Sequence, residues 1–159
     1  MRLPPLDGRP IHVRLRPTLG VHLAETSIPR RLIFLDQAVL ARSGDFERIL
    51  IHELFHFVWV RLSNQARWSW ESVLAAEFGR RSRGELGWSS EWRKDQLRQG
   101  DVRGRTPKWR RYICESFCDS AAWMYAGIAQ HDEYTLAQAN RRRRKAWIAK
   151  NLATRALPV

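Results

Sequence analysis

Cysteine and long apolar runs are scarce in this chain of 159 residues. The two cysteines, Cys114 and Cys118, stand four positions apart in a helical pattern, which favours reduced packing residues over a disulfide framework. Nowhere do about 18 apolar residues follow one another, as a membrane span requires. The Pro-rich N-terminus also lacks an apolar run of signal-peptide length. We therefore expect a cytoplasmic protein without a membrane segment.

Lysine is also scarce, although the chain is basic, with 28 Lys and Arg against 16 Asp and Glu and a net charge of +12. Such an excess can attract phosphates or acidic partners, but the arginine-rich composition of a GC-rich genome accounts for it equally well. The densest basic run, Arg141 to Lys145, is interpreted as a solvated helix face. A single basic run without a nucleic-acid-binding motif is only a weak indication of such binding. Any nucleic-acid binding is expected to be weak and nonspecific.

The hydrophobic pattern predicts one α+β domain over residues 1–159, with peripheral tails at 1–10 and 153–159. Apolar alternation and turn residues predict strands at 11–16, 21–25 and 31–36, forming a short antiparallel or mixed sheet. Helical spacing then predicts helices at about 45–62, 68–78, 90–97, 107–128 and 132–152. Ser43, Gly44 and Asp45 are the expected N-cap region of the first of these helices.

The first predicted helix carries His52-Glu53-Leu54-Phe55-His56. Residues four apart on a helix project from one face, so the two imidazoles can bind one metal ion at about 2 Å. Zinc lowers the pKa of a bound water towards 7, and Glu53 lies close enough to accept its proton as a general base. About 0.01 chance occurrences of this pattern are expected in a chain of this composition, so we predict one zinc ion per chain.

Two histidines leave a tetrahedral zinc site short of a protein ligand. Glu115 and Asp119 stand four apart on an otherwise apolar helical stripe, where buried acids require a cation or hydrogen-bond donors. Glu115 is the predicted third ligand because its longer side chain reaches further, and Asp119 is predicted to accept a hydrogen bond from a metal-bound histidine. Two alternatives stay open: surface pairing of these acids with neighbouring arginines, and zinc ligation by Cys114 or Cys118.

The pattern His52-Glu53-x-x-His56 followed by Glu115-x-x-x-Asp119 resembles the gluzincin pattern of thermolysin-like zinc peptidases. The resemblance implies a zincin-like fold in which both histidines and Glu115 bind zinc, Glu53 activates water and Asp119 orients His52. A weaker resemblance to SprT-like peptidases rests on the first motif, without the third histidine followed by glycine that those proteins use.

His56 and Glu115 are 59 positions apart, further than in thermolysin-like proteins, and no motif identifies a transition-state stabiliser. His131, Tyr112 and Tyr134 are the candidates for that role. We predict a zinc-dependent peptidase acting on a peptide or protein. If the strand at 31–36 forms the edge of the sheet, an extended peptide could add to it by backbone hydrogen bonds. The alternative is a basic nucleic-acid or protein-interaction module whose zinc is structural or vestigial.

Overall fold

The computed structural model describes residues 3–42, 44–152 and 156–159 of the chain. Within these residues the protein has six α-helices and two small sheets, so the predicted α+β fold class is confirmed. The strands are β1 (Leu6–Asp7), β2 (His12–Arg16), β3 (Ala24–Ser27), β4 (Leu32–Asp36) and β5 (Leu157–Pro158). The helices are α1 (Asp45–Arg61), α2 (Asn64–Gly79), α3 (Trp88–Asp95), α4 (Gln99–Arg103), α5 (Pro107–Tyr125) and α6 (Gln138–Leu152). None of these helices is long and apolar enough to cross a membrane.

The larger sheet has the strand order β2-β4-β3 and is mixed, with β2 parallel and β3 antiparallel to β4. The hypothesis that the strand at 31–36 forms the sheet edge is wrong, because β4 lies between β2 and β3. This strand is the most continuously apolar of the three, and its residues Ile33 and Leu35 are fully buried in the centre of the sheet. The edge strand beside α1 is β3 instead, which begins three residues later than the predicted strand at 21–25.

The terminal segments, predicted as peripheral tails, belong to the fold. β1 and β5 pair in parallel, so the two ends of the chain form the second sheet. Leu157 and Val159 are buried in the main hydrophobic core, which explains why this short C-terminal segment is held in place. The prediction of a peripheral tail is therefore wrong for residues 156–159, whereas residues 5–10 are exposed although β1 pairs with β5.

Helices α1 and α5 pack against each other at the centre of the molecule. Their contact buries aromatic and aliphatic side chains, among them Phe55 from α1 and Phe117 from α5, whose ring centroids lie 5.7 Å apart. α1 follows Gly44, whose φ of 89° favours glycine, while Ser43 lies outside the described residues. α5 begins as predicted, with Thr106 as N-cap and Pro107 in the first turn, but ends at Tyr125.

The last helix begins at Gln138 rather than at 132. The preceding residues are held in a non-helical path because the backbone N–H groups of Thr135 and Leu136 both donate to the Glu85 carbonyl, at 2.9 and 2.8 Å. Tyr134 and Leu136 also pack with Leu86 in a small second apolar cluster. These contacts connect the segment before α6 to the segment before α3.

A buried charge network fixes the segment before α3 against α5 and α6. The Glu85 carboxylate receives hydrogen bonds from Arg144 at 2.6 and 3.0 Å and from the Tyr112 hydroxyl at 2.6 Å, and Lys94 lies 3.0 Å away. Arg144 also pairs with Glu77 at 2.7 Å. Arg144 therefore departs from the predicted solvated face of Arg141 to Lys145, since its guanidinium is fully buried.

Candidate metal centre

The two motif histidines meet at one point, as the helix spacing predicts. His52 and His56 lie one turn apart on α1, and their Nε2 atoms are 3.2 Å apart. Both rings line a cleft of about 870 Å³, so the point where they meet is accessible from solvent. Glu53 lines the same cleft next to them.

Asp119 fixes the orientation of the first imidazole. Its Oδ1 lies 2.7 Å from His52 Nδ1, while its Oδ2 accepts a hydrogen bond of 3.0 Å from the Ser90 backbone N–H. A neutral imidazole that donates through Nδ1 keeps a free electron pair on Nε2, the form that binds metal. Burial would lower the pKa of His52, but the charge and hydrogen bond of Asp119 raise it well above its usual value.

Glu115 lies beside the same nitrogen. Its Oε2 is 3.3 Å from His52 Nε2 and accepts a hydrogen bond from the Ser89 hydroxyl, while its Oε1 lies 3.6 Å from Arg93 Nη2. Burial would raise the pKa of Glu115, but its contact with His52 and the neighbouring His56 lower it to about 2. The carboxyl is therefore ionised at neutral pH, the form that binds a metal cation.

The two cysteines, which were predicted to be packing residues, lie close to the motif histidines. Cys114 Sγ is 3.5 Å from His56 Nδ1, and ligand atoms of His52, His56 and Cys118 all lie within 4.8 Å of one another. These three residues form a possible metal-binding group among the described residues, so a cysteine ligand has structural support, and the predicted ligand Glu115 is not one of the three. Burial raises the pKa of Cys118 well above its usual value, whereas the hydrogen bond from Cys118 lowers that of Cys114 to about 6.

The cleft has two unlike walls. One wall is β3 with the residues before it, and the Thr26 hydroxyl there lies 3.5 Å from the Glu53 carbonyl oxygen, to which it donates. The other wall is α3, which contributes Trp88, Trp92 and Arg93. The two indoles stack with centroids 6.0 Å apart and are 64% and 48% exposed, so this wall offers an aromatic surface to solvent.

The three candidate transition-state stabilisers do not line this cleft. The Tyr112 hydroxyl donates to Glu85 in the interior, and His131 Nε2 lies 3.1 Å from Asp45 Oδ1. Tyr134 is buried in the second apolar cluster, where burial raises its pKa to about 12. The side chains that line the cleft are therefore not those of the three candidates.

Sequence reasoning missed the contribution of the segment 87–93. This segment supplies Ser89 to Glu115, the Ser90 N–H to Asp119 and the aromatic wall of the cleft. Gly87 approaches Asp119 so closely that a Cβ atom there would lie 2.3 Å from the carboxyl carbon. The available signal was a glycine followed by two tryptophans at helical spacing, a pattern that predicts a helix but not its partner.

Arg48 and Glu133 are also cleft residues that the sequence did not indicate. Both terminal nitrogens of Arg48 donate to Glu133, at 2.8 and 2.9 Å, and Glu133 also accepts from the Trp88 backbone N–H at 2.7 Å. This pair connects α1, α3 and the segment before α6.

Comparison with known proteins gave no match, whether to a family model, to a curated protein or to a solved structure.

Proposed function

We propose that this chain is a zinc-dependent peptidase with a zincin-like active site. The spacing of the donor atoms carries the proposal. Two ligands bound tetrahedrally to zinc at about 2.0 to 2.2 Å are about 3.3 to 3.6 Å apart. The separations of 3.2 Å between the histidine Nε2 atoms and 3.3 Å from His52 Nε2 to Glu115 Oε2 are close to those values.

Glu115 is the proposed third ligand, in preference to Cys118. Its carboxylate lines the cleft with Oε2 3.3 Å from His52 Nε2, whereas Cys118 is fully buried and does not line the cleft. Asp119 is proposed to hold His52 by its Nδ1–H, the outer interaction that metal-bound histidines commonly make.

A zinc ion held by these residues would supply a Lewis acid that makes water nucleophilic at neutral pH and polarises a carbonyl group. Glu53 is the proposed general base. It accepts a proton from the attacking water and returns it to the leaving amine nitrogen, because one carboxyl group can perform both transfers in turn. Its place beside β3 puts it on the wall along which a substrate would bind.

The substrate is proposed to be an extended peptide or protein segment. In the described residues β3 pairs on one side with β4, so its other edge can form backbone hydrogen bonds to an added strand. That strand would run through the cleft between β3 and the Trp88 and Trp92 surface. Such binding would place a scissile carbonyl near Glu53.

Zinc content and proteolysis test this proposal together. Protein purified without chelator should contain about one zinc per chain, lose it to a chelator, and cleave labelled casein when zinc is restored. The Glu53→Gln variant prepared in parallel controls for contaminating proteases. Protein that contains well under one equivalent and cannot be loaded with zinc would overturn the proposal.

A second function is favoured by one observation, the position of Cys118 Sγ within 4.8 Å of one ring nitrogen of each motif histidine. With a cysteine ligand the site could close around a structural zinc in a basic interaction module. Cobalt substitution separates the two cases, because a cysteine ligand gives a thiolate-to-cobalt charge-transfer band and a carboxylate ligand gives none. A strong band in wild-type protein that disappears in Cys118→Ser, with no hydrolysis of casein, would favour the structural site.

A further inference from the structure

We propose that Arg93 is the residue that stabilises the negative charge developing on the scissile carbonyl oxygen. This inference rests on the peptidase function proposed above and assigns the role for which the sequence offered His131, Tyr112 and Tyr134. The attack forms a bond from the water oxygen to the carbonyl carbon, moves a proton to Glu53 and shifts the carbonyl electron pair onto oxygen. The C–N bond then breaks as Glu53 gives that proton to nitrogen, so the charged oxygen exists only between the two steps.

The Arg93 guanidinium is fixed at the rim of the metal centre. Its Nη1 donates to the Ser89 carbonyl at 2.7 Å and to the Ser89 hydroxyl at 3.0 Å. The carbon of the guanidinium lies 5.2 Å from the centroid of the Trp92 ring, a cation–π contact. A charged donor held by two hydrogen bonds and an aromatic face needs little reorganisation when charge appears beside it.

The second terminal nitrogen of Arg93 has donor capacity available. Nη2 lies 3.6 Å from Glu115 Oε1, too far for a good hydrogen bond, and the side chain is 27% exposed towards the cleft. The other arginine that lines the cleft, Arg48, has both terminal nitrogens bound by Glu133. Arg93 is therefore the better placed of the two arginines to donate to a substrate oxygen.

Arg93 and Glu53 line the same cleft from different helices. Arg93 belongs to α3 and Glu53 to α1, and His52, His56 and Glu115 line the cleft with them. A carbonyl bound at this centre could therefore meet a base from one helix and a positive donor from the other, the two groups that assist attack by water on a carbonyl.

The rival explanation is that Arg93 only positions Glu115. The two roles differ in their effect on zinc affinity. A positioning residue supports the ligand, so its loss weakens zinc binding and the lost activity returns when zinc is raised. A donor to the substrate oxygen is not needed for zinc binding, and its loss leaves activity low at saturating zinc.

The test compares Arg93→Ala and Arg93→Lys with Arg142→Ala, which removes the same charge from an exposed position on α6. We measure zinc affinity, casein hydrolysis at saturating zinc, and binding of methylphosphonate, a tetrahedral oxyanion, to the zinc-loaded protein. Arg93→Ala should lower hydrolysis by about 100-fold and methylphosphonate affinity by about 10-fold, with zinc affinity within about 3-fold of wild type. Arg93→Lys should show smaller losses of both, because lysine keeps the positive charge but lacks the paired N–H donors of the guanidinium. Arg142→Ala should resemble wild type.

Two results would overturn the inference. In the first, Arg93→Ala hydrolyses casein at near wild-type rate. In the second, its zinc affinity falls and saturating zinc restores its activity, which assigns Arg93 to positioning Glu115. Both results leave the peptidase proposal standing, because wild-type protein is active in each. If wild-type protein binds zinc but cleaves no casein, the proposed function fails and this inference fails with it.

Discussion

His52 Nδ1 and Asp119 Oδ1 lie 2.7 Å apart, and the Ser90 backbone N–H holds the second oxygen of Asp119 at 3.0 Å. The carboxylate therefore joins the helix that carries the histidines to the segment that begins α3. Since Asp119 is almost fully buried, its oxygens have little access to water and depend on these two partners. The position of the His52 ring thus depends on how closely the segment 87–90 approaches α5.

Gly87→Ala tests this dependence without changing a polar group. An added Cβ would lie 2.3 Å from both the carboxyl carbon and Oδ1 of Asp119, so the carboxylate must move away from His52. Zinc affinity should fall by about 10- to 100-fold, as when an outer hydrogen bond to a metal ligand is lost. Gly100→Ala is the matched control, because nothing lies within 4 Å of its added Cβ. Equal zinc affinities in the two variants would show that Asp119 does not support the metal centre.

The identity of the third ligand is tested by three substitutions in parallel. Glu115→Gln should lose zinc severely, Asp119→Asn should weaken zinc affinity by about 10- to 100-fold, and Cys118→Ser should bind zinc like wild type. The physical reason is that Glu115 lines the cleft, whereas Cys118 is fully buried and does not line it. Zinc affinity is measured by competition with a chelator. Loss of metal in Cys118→Ser with retention in Glu115→Gln would reverse the assignment.

Glu53→Gln should retain the fold and zinc while casein hydrolysis falls below detection. The amide cannot accept a proton from water, yet both histidines keep their positions on α1. Zinc content, circular dichroism and hydrolysis are measured on the same preparation. Loss of zinc in this variant would mean that Glu53 is a ligand and not the base.

The buried network around Glu85 should contribute strongly to stability. Burial alone would raise the pKa of Glu85, but Arg144, Lys94 and Tyr112 lower it from 4.5 to about 2. Glu85→Gln leaves buried positive charge poorly paired and should lower the free energy of unfolding by about 3 to 5 kcal/mol at pH 7. Urea denaturation measures this difference, with the exposed Asp95→Asn as a control expected to change it by under about 0.5 kcal/mol.

The difference in the free energy of unfolding between wild type and Glu85→Gln should also depend on pH. Because the folded pKa of Glu85 lies below the unfolded one, its stabilising contribution is fully present above about pH 4.5 and is lost as the pH falls towards 2. The stability difference between wild type and Glu85→Gln should therefore shrink across this interval. A difference that stays constant from pH 7 to 3 would contradict the assignment of the low pKa to Glu85.

Binding to nucleic acid should be weak, independent of sequence and lost as salt is raised. Within the run from Arg141 to Lys145, Arg144 is buried in the Glu85 network, and Arg141 donates to the Leu136 and Tyr134 carbonyls. Any binding then rests on nonspecific contacts between the remaining basic side chains and phosphates, so affinity should be low and should fall steeply as salt is raised. Fluorescence anisotropy with two unrelated duplexes at 50 and 200 mM salt measures it. Tight, sequence-dependent binding at the higher salt would contradict this prediction.

Local patterns in the sequence determined much of the fold. The histidine helix was predicted at about 45–62 and lies at Asp45–Arg61, since apolar residues recur at helical spacing on a long segment. α5 was predicted from Thr106 and Pro107, whose conformations favour a helix start. The convergence of His52 and His56 also follows from local geometry, because residues four apart on any helix share a face.

Tertiary structure decided the remainder of the site. Which strand forms the sheet edge depends on pairing between strands that are distant in sequence, and the alternation of each strand carries no information about its neighbours. The contact of Asp119 with His52 spans 67 positions, and the pair of Glu85 and Arg144, which holds the segment before α3 against α6, spans 59. The sequence by itself determined that His52 and His56 lie one turn apart on the same helix. Long-range packing determined what surrounds them, because the position of one element on another depends on the shape of the whole core.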